Sequence, residues 1–249
     1  MNSNYRIVAL KEYPKLTEEI DKLHRLGWVK FMGKDPIANK YWNKLQLWFA
    51  EFQFLLLDNR GTPIACGHSI PFHWNGTENN LPSGWDGVFE QGILEYENNI
   101  KPNSVSALAI VIHPEFQGKG LSELMIKEMK SLVKRNQIHQ MVAPVRPSLK
   151  HRYPLIPMGE YVRWKRKDGK PFDPWIRTHC KTGATIIKVA EKSMVIPATV
   201  QEWEEWTDME FHSSGKYVIP GGLVPLNINR DANTGVYIEP NVWLNHHLD

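Results

Sequence analysis

Cysteine is nearly absent: the 249-residue chain holds two, Cys66 and Cys180. Two thiols build neither a disulfide framework nor a structural zinc site, a usage expected of a reducing compartment, and no metal is expected. Long apolar runs are missing as well. No stretch is long enough to cross a bilayer, and the N-terminal MNSNYRIVALKEYPKLTEE lacks the apolar core of a signal peptide. The expectation is a cytoplasmic protein that does not engage a membrane. Charge of one sign is scarce: 30 Lys and Arg against 27 Asp and Glu leave +3. So slight an excess argues against nucleic acid as a partner and leaves any anion recognition to local features. No internal repeat or low-complexity linker divides the chain. A single domain over 1–249 is expected, with a core over about 5–196 and a β-rich extension over 197–249.

What is present suits a folded chain with a sizeable core, 42% apolar and 11% aromatic. Residues Tyr5 to Leu10 read as a strand. A helix follows, with Thr17 as N-cap and Leu16, Ile20, Leu23 and Leu26 at helical spacing. A second helix is expected over Ala38 to Phe49. FQFLLLD and TPIACGHSIPFHW form a hairpin about the turn NRG. LPSGWDGVFEQGILEYENN reads as a loop and a short helix. Ser104 to Ile112, SVSALAIVI, is almost wholly apolar, as in a strand covered on both faces. From Leu121 to Arg135 apolar residues recur on one helical face, and HQMVAPV is the next strand.

Between that apolar strand and that helix lies PEFQGKGLSELM, Pro114 to Met125. A strand, a tight glycine turn and a helix N-terminus together make an anion site. Glycine lets the backbone turn its N–H groups inward, and the helix dipole adds positive charge. Spacing separates the motifs that use such a turn. The P-loop needs GxxxxGK, and Gly118 and Gly120 are too close. The dinucleotide fingerprint GxGxxG fails at its third glycine, where Glu123 stands.

Gln117-Gly118-Lys119-Gly120-Leu121-Ser122 resembles motif A of the GNAT superfamily of acyl-CoA-dependent acyltransferases, with serine in place of the final glycine or alanine. The preceding IVIHPEFQGKG also matches the His-Pro pair that ends the family's fourth strand. The resemblance implies a mixed α/β GNAT fold, with a mostly antiparallel central sheet and helices on both faces. It implies acetyl-CoA, or coenzyme A, as co-substrate. The pyrophosphate would lie on the amides of Gln117 to Ser122. The pantetheine arm and acyl carbonyl would lie along Ile110, Val111 and Ile112, whose amides would stabilise the tetrahedral oxyanion.

A second anchor is DPWIRTHCKTGATIIKV, Asp173 to Val189, which is similar to the family's helix ending in YxxxGF before a strand. Asp173 caps the helix and Gly183 stops it. His179 stands at the place of the tyrosine that commonly protonates the departing thiolate, and Ala184 replaces the phenylalanine. Histidine can donate and accept a proton near neutrality, so the resemblance implies His179 as the catalytic acid. Cys180 beside it points about 100° away and is expected to pack in the core. The family's general base, a glutamate on or beside the fourth strand, has no counterpart in SVSALAIVI. Asp86, Glu90 and Glu95 precede it and read as solvated surface.

The segment RPSLKHRYPLIPMGEYVRWKRKDGKPF is long for its place in a minimal GNAT domain. It interleaves Arg146, Lys150, Arg152, Arg163, Lys165, Arg166, Lys167 and Lys170 with aromatic residues. Long ordered insertions tend to be functional. Arg146, Tyr153, Tyr161 and Trp164 are therefore expected at the acceptor. The expected reaction is acyl transfer, most simply acetyl, to an amine of a small-molecule acceptor. Two other readings stay open. One is a decarboxylase and S-acyltransferase acting on malonyl-CoA with an acyl carrier protein, as in polyketide loading domains. The other is a catalytically silent module that binds coenzyme A.

Overall fold

The computed structural model describes residues 5–248. Among them the elements run β1 (Arg6–Ala9), α1 (Thr17–Gly27), α2 (Pro36–Trp48), β2 (Gln53–Leu57), β3 (Pro63–Phe72), α3 (Trp85–Glu97), β4 (Ser104–Ile112), α4 (Leu121–Arg135), β5 (Gln140–Val145) and α5 (Met158–Tyr161). They continue with α6 (Pro174–Lys181), β6 (Ala184–Ala198), α7 (Val200–Thr207), β7 (Gly215–Tyr217), β8 (Leu226–Asn229) and β9 (Thr234–His246). The strands form one sheet in the order β1-β2-β3-β4-β5-β9-β8-β7, with β6 also paired to β9. Every pairing is antiparallel except that of β4 with β5. Alternate residues of β2 feed different apolar layers, as a period of two requires. Leu55 and Leu57 pack with Ile20 and Leu23 of α1, whereas Phe54 and Leu56 join the larger core that holds Met125 and Met129 of α4.

Capping explains several helix starts. Asp35 accepts from the Ala38 amide at 2.8 Å, and Asp173 accepts from those of Trp175 and Ile176 at 2.9 and 3.1 Å. Thr199 and Glu202 form a reciprocal capping box on α7. Thr17 is not the N-cap of α1. It is the first helical residue, Leu16 holds the cap position, and the Thr17 hydroxyl donates back to the Pro14 carbonyl. Leu26 lies on the exposed side of that helix. The helix α3 is 13 residues long, not short. Its Gly92 disguises it in the sequence, yet the packing needs it: a Cβ there would stand 2.7 Å from Ile70.

Two features of the sheet shape the site. The strands β4 and β5 pair only from Ser104–Ser106 to Gln140–Val142, and beyond that they part into a fork. In β4 the register against β3 passes from Ala109 opposite His68 to Ala107 opposite Ser69, so Leu108 is bulged. Its carbonyl accepts from Trp85 Nε1 at 2.8 Å. The C-terminal segment is not an addition laid on the sheet. Residues Val242 to His246 pair with β5 and with β6, placing β9 between them.

Candidate active site

The fork opens into a cavity of about 660 Å³. Its walls are Ala107–Ile112 of β4 and Ala143–Val145 of β5. Where the strands part, the backbone groups that would have continued the ladder have no strand partner on that side. An extended ligand arm can take that place, as an added strand would.

At one end the cavity meets the glycine turn through Gln117, Gly118 and Ser122. Gly118 and Gly120 have φ of +74° and +77°, the left-handed region open to glycine. Gly120 is the N-cap of α4; its carbonyl accepts from the Glu123 amide at 3.2 Å, and the N–H groups of Leu121 and Ser122 stand at the open helix end. Gln117 is held by a 3.2 Å bond from its Nε2 to the Ile112 carbonyl. The turn therefore presents unpaired donors and a helix dipole beside the strand fork, which suits a pyrophosphate.

Beside the fork stands α6, which contributes Trp175, Thr178 and His179 to the cavity wall. His179 is almost fully buried, and its Nδ1 lies 2.8 Å from Nε2 of His246. Its Nε2 has no partner among the described residues. Burial first, and the neighbouring His246 second, hold its pKa well below the ordinary histidine value, so the ring is neutral near pH 7.

The cavity is also lined by Trp28, Val29, Met32 and Trp85, and by Arg146 and Asn241. Behind them Glu239 is fully buried. Arg146 Nε donates to both its oxygens, at 2.9 and 3.1 Å, Tyr237 donates at 2.7 Å, and Asn241 donates at 3.2 Å. Asp35 and Asp86 lie against each other, and beyond that pair one buried oxygen of each finds no partner among the described residues. Burial pushes Asp86 up to about 8, with the charge of Asp35 adding to it, and burial raises Asp35 too. The pair holds a proton at neutral pH. Asp86 is thus no solvated surface residue. Its other oxygen accepts from the Val195 amide, because α3 starts against β6.

The arginine N-acetyltransferase avaD of Aspergillus versicolor is 31% identical to this chain over 247 residues, covering 88% of the chain and 84% of that protein. The chain belongs to the GNAT superfamily. Two solved structures share its GNAT architecture. The loading GNATL domain of CurA from Lyngbya majuscula matches with a TM-score of 0.63 at 18% identity, over 98% of each chain. The GphF GNAT-like decarboxylase in complex with isobutyryl-CoA matches at 0.58 and 13%, over 98% of this chain and 99% of that one. No family model matches the sequence.

Of the residues that the GNAT resemblance singled out, Ile110, Val111, Ile112, Gln117, Gly118 and Ser122 line the cavity together with His179 and Arg146. Lys119, Gly120 and Leu121 do not. Leu121 is buried in the core, and Lys119 Nζ lies 4.6 Å over the Phe116 ring. Tyr153, Tyr161 and Trp164 do not reach the cavity either. They pack on one another and on Phe172, with Tyr161 hydroxyl donating to Asp173 at 2.9 Å. Apolar area drew them inward, so the insertion is held by its own aromatic cluster. Lys150 of the basic run is also buried, donating to the Tyr153 and Leu223 carbonyls at 2.7 Å. Besides Arg146, the insertion reaches the cavity through Ser148 and His151. Cys180 packs half-buried against the core, and burial raises its thiol above its ordinary value.

His246, Glu239, Asn241 and Asp35 escaped the sequence reading. The signal for His246, Glu239 and Asn241 lay in VYIEPNVWLNHH, where polar residues interrupt an otherwise apolar strand. A third buried histidine, His68, donates or accepts at both nitrogens, 2.9 Å from Gln53 Oε1 and 3.1 Å from His24 Nε2. Cys66 brings its sulfur within 4.8 Å of the two rings. With both His68 nitrogens engaged, this is a hydrogen-bonded chain under Trp28 and Trp42.

Proposed function

We propose that this GNAT protein transfers an acetyl group from acetyl-CoA to an amine of arginine or a closely similar cationic amino acid. The observation that carries the reading is continuity. One cavity joins the glycine turn, the strand fork, His179 and an aromatic end. In this reading the pyrophosphate lies on the turn from Gln117 to Ser122, and the pantetheine arm runs along Ile110 to Ile112. The thioester then stands at the fork beside His179, and strand-end amides receive the oxyanion.

The acceptor end supports a cationic amino acid. Trp28 and Trp85 line the cavity with indole rings, the side chains that best accommodate a cation, and the Arg146–Glu239 pair brings charge of both signs to its wall. The relative's activity toward arginine agrees with this chemistry. The test is to incubate the protein with acetyl-CoA and L-arginine, follow thiol release, and identify the product by mass. Acetylarginine with stoichiometric coenzyme A is the expected outcome. Thiol release without acetylarginine would remove the acceptor assignment. Decarboxylation of malonyl-CoA in place of acetyl transfer would replace the reading with the carrier-loading one.

A further inference from the structure

The two rings His179 and His246 have four nitrogens, and among the described residues only two of them find a partner. His179 Nδ1 and His246 Nε2 meet at 2.8 Å, while His179 Nε2 and His246 Nδ1 are buried with no partner there. A contact of that length holds one proton, because two N–H groups would collide and two lone pairs would repel. The protonation of one ring therefore fixes the tautomer of the other. His246 comes from β9, the strand that lies between β5 and β6, so its position is set by the sheet and not by a loop.

We propose that His246 is the positioning partner of His179. The pair works as one proton carrier that takes the proton from the acceptor amine and gives it to the thiolate of coenzyme A. The inference rests on the acetyl-transfer reading above and explains how this chain manages with no carboxylate on β4.

The step balances without any further reactant. At rest both rings are neutral, His179 Nδ1–H donates to His246 Nε2, and His179 Nε2 carries a lone pair. The amine nitrogen bonds to the thioester carbon, the carbonyl π pair moves to oxygen, and a proton passes from nitrogen to His179 Nε2. On collapse the oxygen pair re-forms the carbonyl, the carbon–sulfur bond breaks with its pair on sulfur, and the proton moves from Nε2 to sulfur. The imidazolium between these events is stabilised by its Nδ1–H bond to His246, the role an orienting acceptor plays behind any histidine base.

The groups around the pair favour one proton on it and resist a second. From α6, the Trp175 ring stands 4.2 Å from that of His179 at 72°, a π partner for the transient cation. Cys180 is next in sequence and stays a neutral thiol. Burial first, then Lys130 from α4 and His247 beside it, disfavour charge on His246. The β5 and β6 residues paired with His246 are Met141 and Ala184, which carry no charge.

The experiment compares the parent with His246→Phe, His246→Gln and His179→Ala, using acetyl-CoA and L-arginine as probes. His246→Phe should lower turnover at least about tenfold, and His179→Ala by the ~10²–10⁴ typical of a lost acid–base group, while calorimetric affinity for coenzyme A stays within about twofold. Without its acceptor the His179 cation is less stable, so the acidic limb of the turnover profile of His246→Phe should move to lower pH. In His246→Gln the carboxamide oxygen accepts the same Nδ1–H and should restore most of the rate. In the parent, ring ¹⁵N shifts should show the two histidines taking up a single shared proton. A His246→Phe protein with the parent's rate and profile overturns the proposal, and so do two rings that titrate independently in the parent. If arginine is not acetylated while the rings still share one proton, the acceptor assignment fails and the pair stands.

Discussion

Glu239 has no exposed surface, and Arg146, Tyr237 and Asn241 converge on its two oxygens. The partners are not equivalent. The Arg146 side chain keeps 32% of its surface exposed at the cavity edge, whereas that of Glu239 keeps none. Removing Arg146 strands a buried carboxylate, and removing the Glu239 charge leaves a guanidinium that water can still reach. Arg146→Met should therefore destabilise the protein by about 3–5 kcal/mol, the range for breaking a buried pair. Glu239→Gln should be clearly milder, since its amide oxygen can still accept from Arg146 and Tyr237. Urea denaturation of both variants decides the matter, and the reverse order of stabilities would show that Arg146 does not hold Glu239.

At the scale of elements, the site is a consequence of two interruptions in regular structure. The ladder between β4 and β5 stops after Ser106, and the chain between β4 and α4 passes through Gly118 and Gly120 at positive φ. A Cβ added to either glycine would find nothing within 4 Å, so the protein itself does not clash with a larger residue there. The obstacle is conformational: a β-branched residue leaves the left-handed region and turns the amides away. Gly118→Val and Gly120→Val should each weaken coenzyme A binding by at least about tenfold, or ~1.4 kcal/mol, with little change in thermal stability. Gly159→Ala in α5, equally unobstructed but outside the positive-φ set, serves as the control and should bind as the parent does. Unchanged calorimetric affinity in both valine variants would place the pyrophosphate elsewhere.

For the whole molecule, the buried titratable groups pull stability in opposite directions with pH. Burial holds His24 and His246 down to about 4, and lowers His68 and His179 well below the ordinary 6.5. Between about pH 4 and 6.5 the unfolded chain binds those protons and the folded one does not, so stability rises with pH across that window. Asp86 does the opposite. Held up to about 8 against an ordinary 3.8, it keeps its proton in the folded state after the unfolded chain has lost it. Its contribution therefore diminishes as pH rises toward 8. Below 6.5 the four histidines outweigh the carboxyl pair, and their pull fades over the next pH unit as the imidazoles of the unfolded chain lose their protons. Stability should climb from pH 5, level off near pH 7 and change by less than about 1 kcal/mol from there to pH 8, because Asp86 offsets the remaining histidine gain at ~1.4 kcal/mol per proton and pH unit. Asp86→Asn should remove that offset and let stability keep rising toward pH 8. Urea midpoints at pH 5, 7 and 8 test this, and a parent protein that gains as much stability from 7 to 8 as Asp86→Asn does would refute it.

Local chemistry was legible in the sequence wherever local forces set the structure. The apolar run of β4, the one-sided helix α4 and the glycine turn between them appear with the limits their residues suggest, because burial, periodicity and backbone freedom are properties of the segment. The cap Asp173 is of the same kind. The extent of the insertion was visible too, but not its role: Tyr161 and Trp164 looked like a binding surface and became a small core. What the tertiary structure alone decided is which distant residues share the cavity. His246 reaches His179 across 67 positions, and Arg146 reaches Glu239 across 93. Those meetings follow from β9 lying between β5 and β6, a long-range pairing chosen by the packing of the whole sheet, and no window of sequence contains it.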